Sequence, residues 1–103
     1  MKNISILGST GSIGRNTLEV VKNLGQRFRV TGMAAGRNFE LLCKQAQMFS
    51  PQIVSLERKE DAERFKRICE DSKIKVVFGP EGAEEVARFE ESDIVVSSIT
   101  GIE

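Results

Sequence analysis

The 103-residue chain contains no histidine, no tryptophan and no tyrosine. Without an imidazole, the chain cannot carry Ser-His-Asp or Cys-His catalysis or a His-ligated metal site. Its two cysteines, Cys43 and Cys69, are too few for a disulfide scaffold and lack metal-site spacing. We interpret both as packing residues of a chain in a reducing, cytoplasmic compartment. The sequence therefore assigns neither a catalytic residue nor a metal ligand to this chain.

Net charge and long hydrophobic runs are also lacking. Fifteen Lys and Arg side chains balance fifteen Asp and Glu side chains, so no general attraction to nucleic acid or to a membrane surface is expected. No apolar run approaches the roughly 20 residues of a membrane span, and no secretory signal is recognisable. The charge is uneven, however. Residues 1–50 carry seven basic and two acidic side chains, whereas residues 51–103 carry eight and thirteen. Solvated helix faces or an anion site in the first half would each explain this.

Short apolar runs alternate with helical stretches, which is typical of a parallel sheet wrapped by helices. We therefore predict one α/β domain over residues 1–103, a Rossmann-like doubly wound sheet of about five strands in the order 4-3-2-1-5. The predicted strands are Asn3–Leu7, Phe28–Ala34, Ile53–Leu56, Lys75–Phe78 and Asp93–Ser97. The predicted helices are Ser12–Leu24, Asn38–Phe49, Lys59–Asp71 and a short helix opened by Gly79-Pro80-Glu81.

Apolar periodicity predicts which side of each helix is buried. For the first helix the predicted stripe is Ile13, Thr17, Val20, Val21 and Leu24. For the next two helices it is Phe39, Leu42, Ala46 and Phe49, followed by Ala62, Phe65, Ile68 and Cys69. Met33 is assigned to the core and Met48 to its edge, while strands 1, 2, 3 and 5 read as covered on both faces.

The segment Gly8-Ser9-Thr10-Gly11-Ser12-Ile13-Gly14 lies between the first strand and the first helix. Three glycines at this spacing permit a tight turn, a close approach of the main chain to a pyrophosphate, and close packing of the helix. The unpaired N–H groups and the dipole of the helix N-terminus attract an anion, and Ser9, Thr10 and Ser12 offer hydroxyl donors. The segment predicts a dinucleotide site, although glycines that serve only the geometry of a turn would show the same sequence pattern.

The segment Ala34-Ala35-Gly36-Arg37-Asn38 follows the second strand and contains no acid. An NAD site would place a carboxylate there to bind the ribose hydroxyls. Arg37 instead offers a planar, permanently charged fork that suits a 2′-phosphate, and Asn38 and the helix it opens add donors. We therefore predict NADP(H) rather than NAD(H), with a solvated loop arginine as the alternative interpretation of Arg37.

The glycine-rich segment, continued by Arg15-Asn16-Thr17-Leu18-Glu19-Val20, closely resembles the amino-terminal signature of the 1-deoxy-D-xylulose 5-phosphate reductoisomerase family. Ala34-Ala35-Gly36-Arg37-Asn38 resembles the second cofactor segment of that family, and Gly79-Pro80-Glu81-Gly82 and Asp93-Ile94-Val95-Val96 resemble later landmarks. The tail Ser97-Ser98-Ile99-Thr100-Gly101 departs from the more usual alanine-rich form.

The resemblance implies an NADPH-dependent oxidoreductase of the non-mevalonate isoprenoid pathway. Such enzymes convert 1-deoxy-D-xylulose 5-phosphate into 2-C-methyl-D-erythritol 4-phosphate with Mg or Mn, as cytoplasmic homodimers. It implies a pyrophosphate site at Thr10, Gly11, Ser12 and Ile13, a 2′-phosphate site at Gly36, Arg37 and Asn38, and a path to the nicotinamide along Ser98 and Ile99. The family's metal and substrate ligands lie in later segments. We therefore expect an amino-terminal fragment that binds NADPH but does not turn over, and that meets its small-molecule substrate through the missing domain.

Two alternatives remain open from the sequence. The chain could be a standalone nucleotide-binding or sensing module, which a stop codon directly after Glu103 would favour. It could also be the cofactor domain of another NADP-dependent reductase, because the substrate pocket is not encoded here.

Overall fold

A computed structural model describes residues 2–70, 72–89 and 92–97 of the chain. Five strands form one parallel sheet in the order β4-β3-β2-β1-β5, which confirms the predicted fold class and strand order. The strands are β1 (Lys2–Leu7), β2 (Phe28–Ala34), β3 (Ile53–Leu56), β4 (Lys75–Phe78) and β5 (Ile94–Ser97). The helices are α1 (Ser12–Leu24), α2 (Phe39–Phe49), α3 (Lys59–Ile68) and α4 (Gly79–Ala87), and a 3₁₀ turn (Gly25–Arg27) follows α1.

The helix ends follow the local rules that their sequences suggest. Gly25 ends α1 at φ 60°, the left-handed region that glycine enters most readily. Asn38 is the N-cap of α2, and its side-chain oxygen accepts a hydrogen bond from the Leu41 N–H at 3.3 Å. Helix α3 ends at Ile68, earlier than predicted, because Cys69 leaves helical geometry at φ −110° and ψ 32°.

Two apolar layers flank the sheet. The larger layer joins the inward residues of α1, α2 and α3 to β1, β2 and β3, and Met33 is fully buried in it, as predicted. The smaller layer is centred on Val86 of α4, which packs against Ala34 and Ile53 on the other face. Helices on both faces are the arrangement that right-handed crossovers produce when the chain reverses its winding direction at the first strand. The carboxyl ends of β1 and β2 thus lie at the edge where ligands bind in such sheets.

The predicted buried stripe of α1 is wrong except at Val21. The structure buries Gly14, Leu18 and Val21, whereas Ile13 is 58% exposed and Val20 is 55% exposed. Thr17 is half-buried and Leu24 is also exposed. The prediction followed Ile13, Thr17 and Val20, whereas the buried stripe runs one position further along, through Gly14, Leu18 and Val21; Gly14 makes a close contact that is described below.

The other packing predictions hold in part. Phe39, Leu42 and Ala46 are buried on α2, and Ala62 and Phe65 on α3, as predicted. Phe49, Cys43 and Cys69 are half-buried against the same core. Ile68 and Met48 are exposed instead. Strand β5 forms the edge of the sheet beside β1, so Ile94 and Val95 are also exposed and the prediction of a strand covered on both faces fails there. None of the described helices is both long and apolar enough to cross a membrane.

Candidate functional site

The glycine-rich loop turns sharply at the carboxyl end of β1. Gly8 lies at φ 85°, a conformation that a β-carbon disfavours. The N–H groups of Gly8 and Ser9 both donate to the carbonyl oxygen of Ala34, at 2.7 Å and 3.0 Å. The Gly11 N–H then donates to the Gly8 carbonyl at 3.0 Å, which closes the turn. These bonds place the start of α1 beside the last residue of β2.

Gly14 explains how closely α1 approaches this loop. A β-carbon on Gly14 would lie 2.1 Å from the Gly8 oxygen and 2.7 Å from the Ser9 Cα. The first turn of the helix therefore packs on the loop backbone itself, and the sheet is not the surface that requires the glycine. A β-carbon on Gly11 would make only a 3.4 Å contact with the Gly8 oxygen. The packing inside this structure therefore demands glycine at position 14 far more than at position 11.

The N-terminus of α1 is open. Gly11 is the N-cap residue, no side chain caps the helix, and its first turn contains no acidic residue. The first N–H groups of a helix have no partner within it and carry the positive end of the helix dipole. Gly11, Ser12 and Ile13 are exposed and Thr10 is half-buried, so a ligand can reach this end. Ile13 was predicted both to bind the pyrophosphate and to lie in the core. Its exposure agrees with the first of these predictions and contradicts the second.

One cation already lies at this helix end. The Arg15 Nε donates to the Gly11 carbonyl oxygen at 3.4 Å. The sequence counts Arg15 among the basic residues and places it in the segment that resembles the family signature, but it assigns no binding role to Arg15. The contact places a permanent positive charge beside the open end of α1, which raises the local attraction for an anion.

Ser9 does not offer its hydroxyl to a ligand, contrary to the prediction. Its side chain is fully buried and the Ser9 Oγ has no hydrogen-bond partner. The residue that sequence reasoning missed is Gln45 of α2, which is buried and donates from Nε2 to the Ser9 carbonyl oxygen at 2.8 Å. An amide on the otherwise apolar inner face of α2 was the available signal, because a buried polar group needs a partner.

The second predicted segment lies at the same edge of the sheet. Gly36, Arg37 and Asn38 are all exposed. The segment is tied to β3 by two backbone bonds, from the Ala35 N–H to the Ser55 oxygen at 2.9 Å and from the Glu57 N–H to the Gly36 oxygen at 3.3 Å. Because the Ala34 carbonyl also holds the glycine-rich loop, the structure brings the two predicted segments together.

Arg37 is neither buried nor alone. Its Nε lies 3.2 Å from the Glu57 Oε2, and the two side chains are 66% and 54% exposed. Asn38 uses its oxygen to cap α2, and its amide nitrogen carries the two donors that the prediction invoked. Ser98 and Ile99, which the resemblance placed on the path to a nicotinamide, lie outside the described residues.

Other candidate features lie away from this edge. A surface cavity of about 470 Å³ is lined by residues at the amino ends of the strands, among them Arg29, Gln52 and Ile74.

Burial raises the pKa of the Cys43 and Cys69 thiols, so neither has the depressed pKa of a reactive nucleophile. Within residues 2–70, 72–89 and 92–97, no group of three or more His, Cys, Asp or Glu side chains is placed to hold a metal ion.

The fold and the loop define the class of this chain as a Rossmann-like α/β domain with a glycine-rich turn at the first strand. A sequence profile described as 1-deoxy-D-xylulose 5-phosphate reductoisomerase matches residues 4–103. The chain belongs to the 1-deoxy-D-xylulose 5-phosphate reductoisomerase family.

The sequences of curated relatives align with nearly the whole chain. The reductoisomerase of Shouchella clausii is 48% identical over 101 residues and that of Chlorobaculum tepidum is 46% identical. Each match covers 98% of this chain and 26% of the relative. The chain thus spans about a quarter of the length of these relatives.

Solved structures of the family share the fold. A DOX-P reductoisomerase crystallised with NADPH, fosmidomycin and magnesium superposes with a TM-score of 0.90 at 27% identity, over 96% of this chain and 24% of that one. The enzyme from Zymomonas mobilis in complex with NADPH gives a TM-score of 0.80 at 23% identity, over 87% of this chain and 24% of that one, which supports the fold alone.

Proposed function

We propose that this chain binds NADPH at the carboxyl edge of β1 and β2. The observation that carries the proposal is the open N-terminus of α1, which Gly14 allows to pack against a glycine-rich turn. Beside it lies Arg37, three residues beyond the end of β2. Anion-attracting amides beside a second, cationic segment are what a phosphorylated dinucleotide requires. The family relative crystallised with NADPH, which has the same fold at 27% identity, supports the same ligand.

Each part of the site has a defined task in this proposal. In the pyrophosphate site formed by Thr10, Gly11, Ser12 and Ile13, the first-turn amides of Ser12 and Ile13 and the hydroxyls of Thr10 and Ser12 donate to the phosphates, while Gly11 leaves room for their close approach. Arg15 adds positive potential beside them. The 2′-phosphate of the adenosine lies against the segment formed by Gly36, Arg37 and Asn38. Bound NADPH supplies a hydride, and this domain holds it in place.

The activity of the whole enzyme is also a proposal, because the chain spans about a quarter of its relatives. We propose that the full protein converts 1-deoxy-D-xylulose 5-phosphate into 2-C-methyl-D-erythritol 4-phosphate as a cytoplasmic homodimer. A divalent cation, Mg or Mn, would polarise the substrate oxygens, held by residues outside the part of the chain described above. The chain alone would bind cofactor without turnover.

The test is a calorimetric titration of the purified chain with NADPH, NADH and 2′-AMP. We expect NADPH to bind more tightly than NADH. Arg37→Ala removes a charge-assisted contact of about 1.5–3 kcal/mol, so NADPH affinity should fall roughly tenfold to a hundredfold while NADH affinity changes little. Arg37→Glu should enlarge the loss.

A matched control is Arg29→Ala. Arg29 is an exposed arginine near the amino end of β2, whereas Arg37 follows the carboxyl end of the same strand. The substitution Arg29→Ala removes one positive charge, as Arg37→Ala does, and should leave cofactor selectivity unchanged. Equal binding of NADPH and NADH by the unmodified chain, or unchanged selectivity in both Arg37 variants, would contradict the proposal.

A further inference from the structure

The guanidinium of Arg37 already has an anionic partner in this structure. Its Nε lies 3.2 Å from a carboxylate oxygen of Glu57, the residue that directly follows β3. The next residue, Arg58, is engaged separately by Asp61 at 3.6 Å. A permanent cation that was assigned to a phosphate is therefore partly neutralised by an acid from the neighbouring strand.

Backbone geometry keeps this carboxylate near the segment it neutralises. The Glu57 N–H donates to the Gly36 carbonyl oxygen at 3.3 Å. A β-carbon built on Gly36 would meet Glu57 Oε2 at 3.9 Å. The carboxylate thus lies over Gly36 and beside Arg37, which is where the 2′ substituent of the adenosine ribose would enter.

We propose that Glu57 is a specificity-determining residue of this site, whose carboxylate competes with the 2′-phosphate for Arg37 and lowers the preference for NADPH over NADH. This inference rests on the proposed function. A 2′-phosphate carries close to two negative charges near neutral pH, so it must either displace Glu57 from Arg37 or bind beside it against repulsion. Both routes weaken NADPH binding.

The effect on NADH has the opposite sign. The 2′-hydroxyl of NADH is a hydrogen-bond donor, and a carboxylate beside it can accept, as the acid at the end of the second strand does in NAD-binding domains. In this chain the acid comes from the end of β3 instead. The residues that follow β2, Ala35 to Asn38, contain no acid.

The experiment compares Glu57→Gln with a matched control, Glu85→Gln. Glu85 forms a similarly exposed ion pair with Lys75 at 3.1 Å. Lys75 is the first residue of β4, so this pair lies at the amino ends of the strands, whereas the candidate site lies at their carboxyl ends. Both substitutions remove one negative charge and one exposed ion pair. Circular dichroism first establishes that each variant is folded, and Glu57→Ala serves as a second variant.

Binding of NADPH, NADH and 2′-AMP is then measured by calorimetry at two salt concentrations. In Glu57→Gln we expect NADPH and 2′-AMP to bind about 1.5-fold to fivefold more tightly, the range of exposed charge interactions. NADH should bind equally or more weakly. The gain should shrink at high salt, because screening weakens interactions between exposed charges. Glu85→Gln should show no change in selectivity.

Two failures are distinguishable. If the unmodified chain binds no NADPH, the proposed function fails and the inference fails with it. If the unmodified chain binds NADPH but Glu57→Gln binds it equally or more weakly, the inference alone is overturned. A weaker complex would mean that Glu57 orients Arg37 for the phosphate.

Discussion

Substitution of Gly14 by alanine is a sharp test of how the loop is built. In a helix interior, alanine is more favourable than glycine by about 1 kcal/mol. The substitution should therefore stabilise the chain if nothing occupied the space of the new methyl group. In this structure that group would lie 2.1 Å from the Gly8 oxygen, 2.7 Å from the Ser9 Cα and 2.9 Å from the Gly8 carbonyl carbon.

These neighbours are backbone atoms, so no side chain can turn away to make room. The Ser9 N–H is bonded to the Ala34 oxygen and the Ser9 oxygen to Gln45, so a shift of the loop would strain both bonds. Overpacking of this kind typically costs about 1–3 kcal/mol. Because the clashing atoms belong to the backbone, we take the upper end of this range, about 3 kcal/mol. After the gain of about 1 kcal/mol in helix propensity is subtracted, Gly14→Ala should lower the free energy of unfolding by about 2 kcal/mol and the melting temperature by about 10 °C.

Urea unfolding followed by circular dichroism measures this change. The control is Gly36→Ala, because a β-carbon there meets only Glu57 Oε2, at 3.9 Å. Replacing glycine at a compatible position stabilises a protein by about 0.4–1 kcal/mol, so this variant should match or exceed the parent. NADPH affinity of folded Gly14→Ala should also fall. A Gly14→Ala chain as stable as the parent would refute the reasoning.

Three further predictions concern packing, the loop anchor and pH. Gln45→Leu should lower unfolding free energy by about 1–3 kcal/mol, because it leaves a buried carbonyl without its donor, and it should weaken NADPH binding more than 2′-AMP binding in calorimetric titrations. In chemical unfolding, Leu18→Ala should cost about 2–5 kcal/mol, whereas Val20→Ala on the exposed side of α1 should stay within about 0.5 kcal/mol; equal losses would contradict the helix rotation described above. The raised pKa of the Cys43 and Cys69 thiols means that the folded chain resists thiolate formation. The contribution of these thiols to the free energy of unfolding should therefore be fully present below their ordinary pKa of about 8.5 and should decline as pH rises beyond it. The decline should diminish when both cysteines are replaced by alanine.

Strand positions and strand order were predictable from the sequence because they depend on local patterns and on handedness. The apolar runs are short and separated by helical stretches, and right-handed crossovers leave few ways to order parallel strands. The N-cap at Asn38 and the C-cap at Gly25 were likewise predictable, since each depends on one residue and its own backbone.

Contacts between distant segments were not predictable in the same way. The buried side of α1 includes Gly14, which packs on Gly8, and a glycine contributes nothing to a pattern of large apolar residues. The buried side chain of Ser9 lies next to the turn at Gly8, and the Ser9 carbonyl accepts a hydrogen bond from Gln45, 36 positions away in the chain. The Arg37–Glu57 pair joins two residues that are 20 positions apart in the chain, so no local reading of the segment after β2 reveals it.

The two halves of the candidate site differ in how much they must rearrange on binding. The glycine-rich turn, where we propose that the pyrophosphate binds, is held by hydrogen bonds to the Ala34 carbonyl and from the Gln45 amide and is packed against Gly14, so little ordering is required when an anion arrives. Arg37, in contrast, is exposed and engaged by Glu57, and it must change partners or share them. We therefore expect the loop to supply a fixed contribution to the affinity for any dinucleotide. The exchangeable ion pair would then decide how far the 2′-phosphate is preferred, so substitutions in the loop should change NADPH and NADH binding together and substitutions in the pair should separate them.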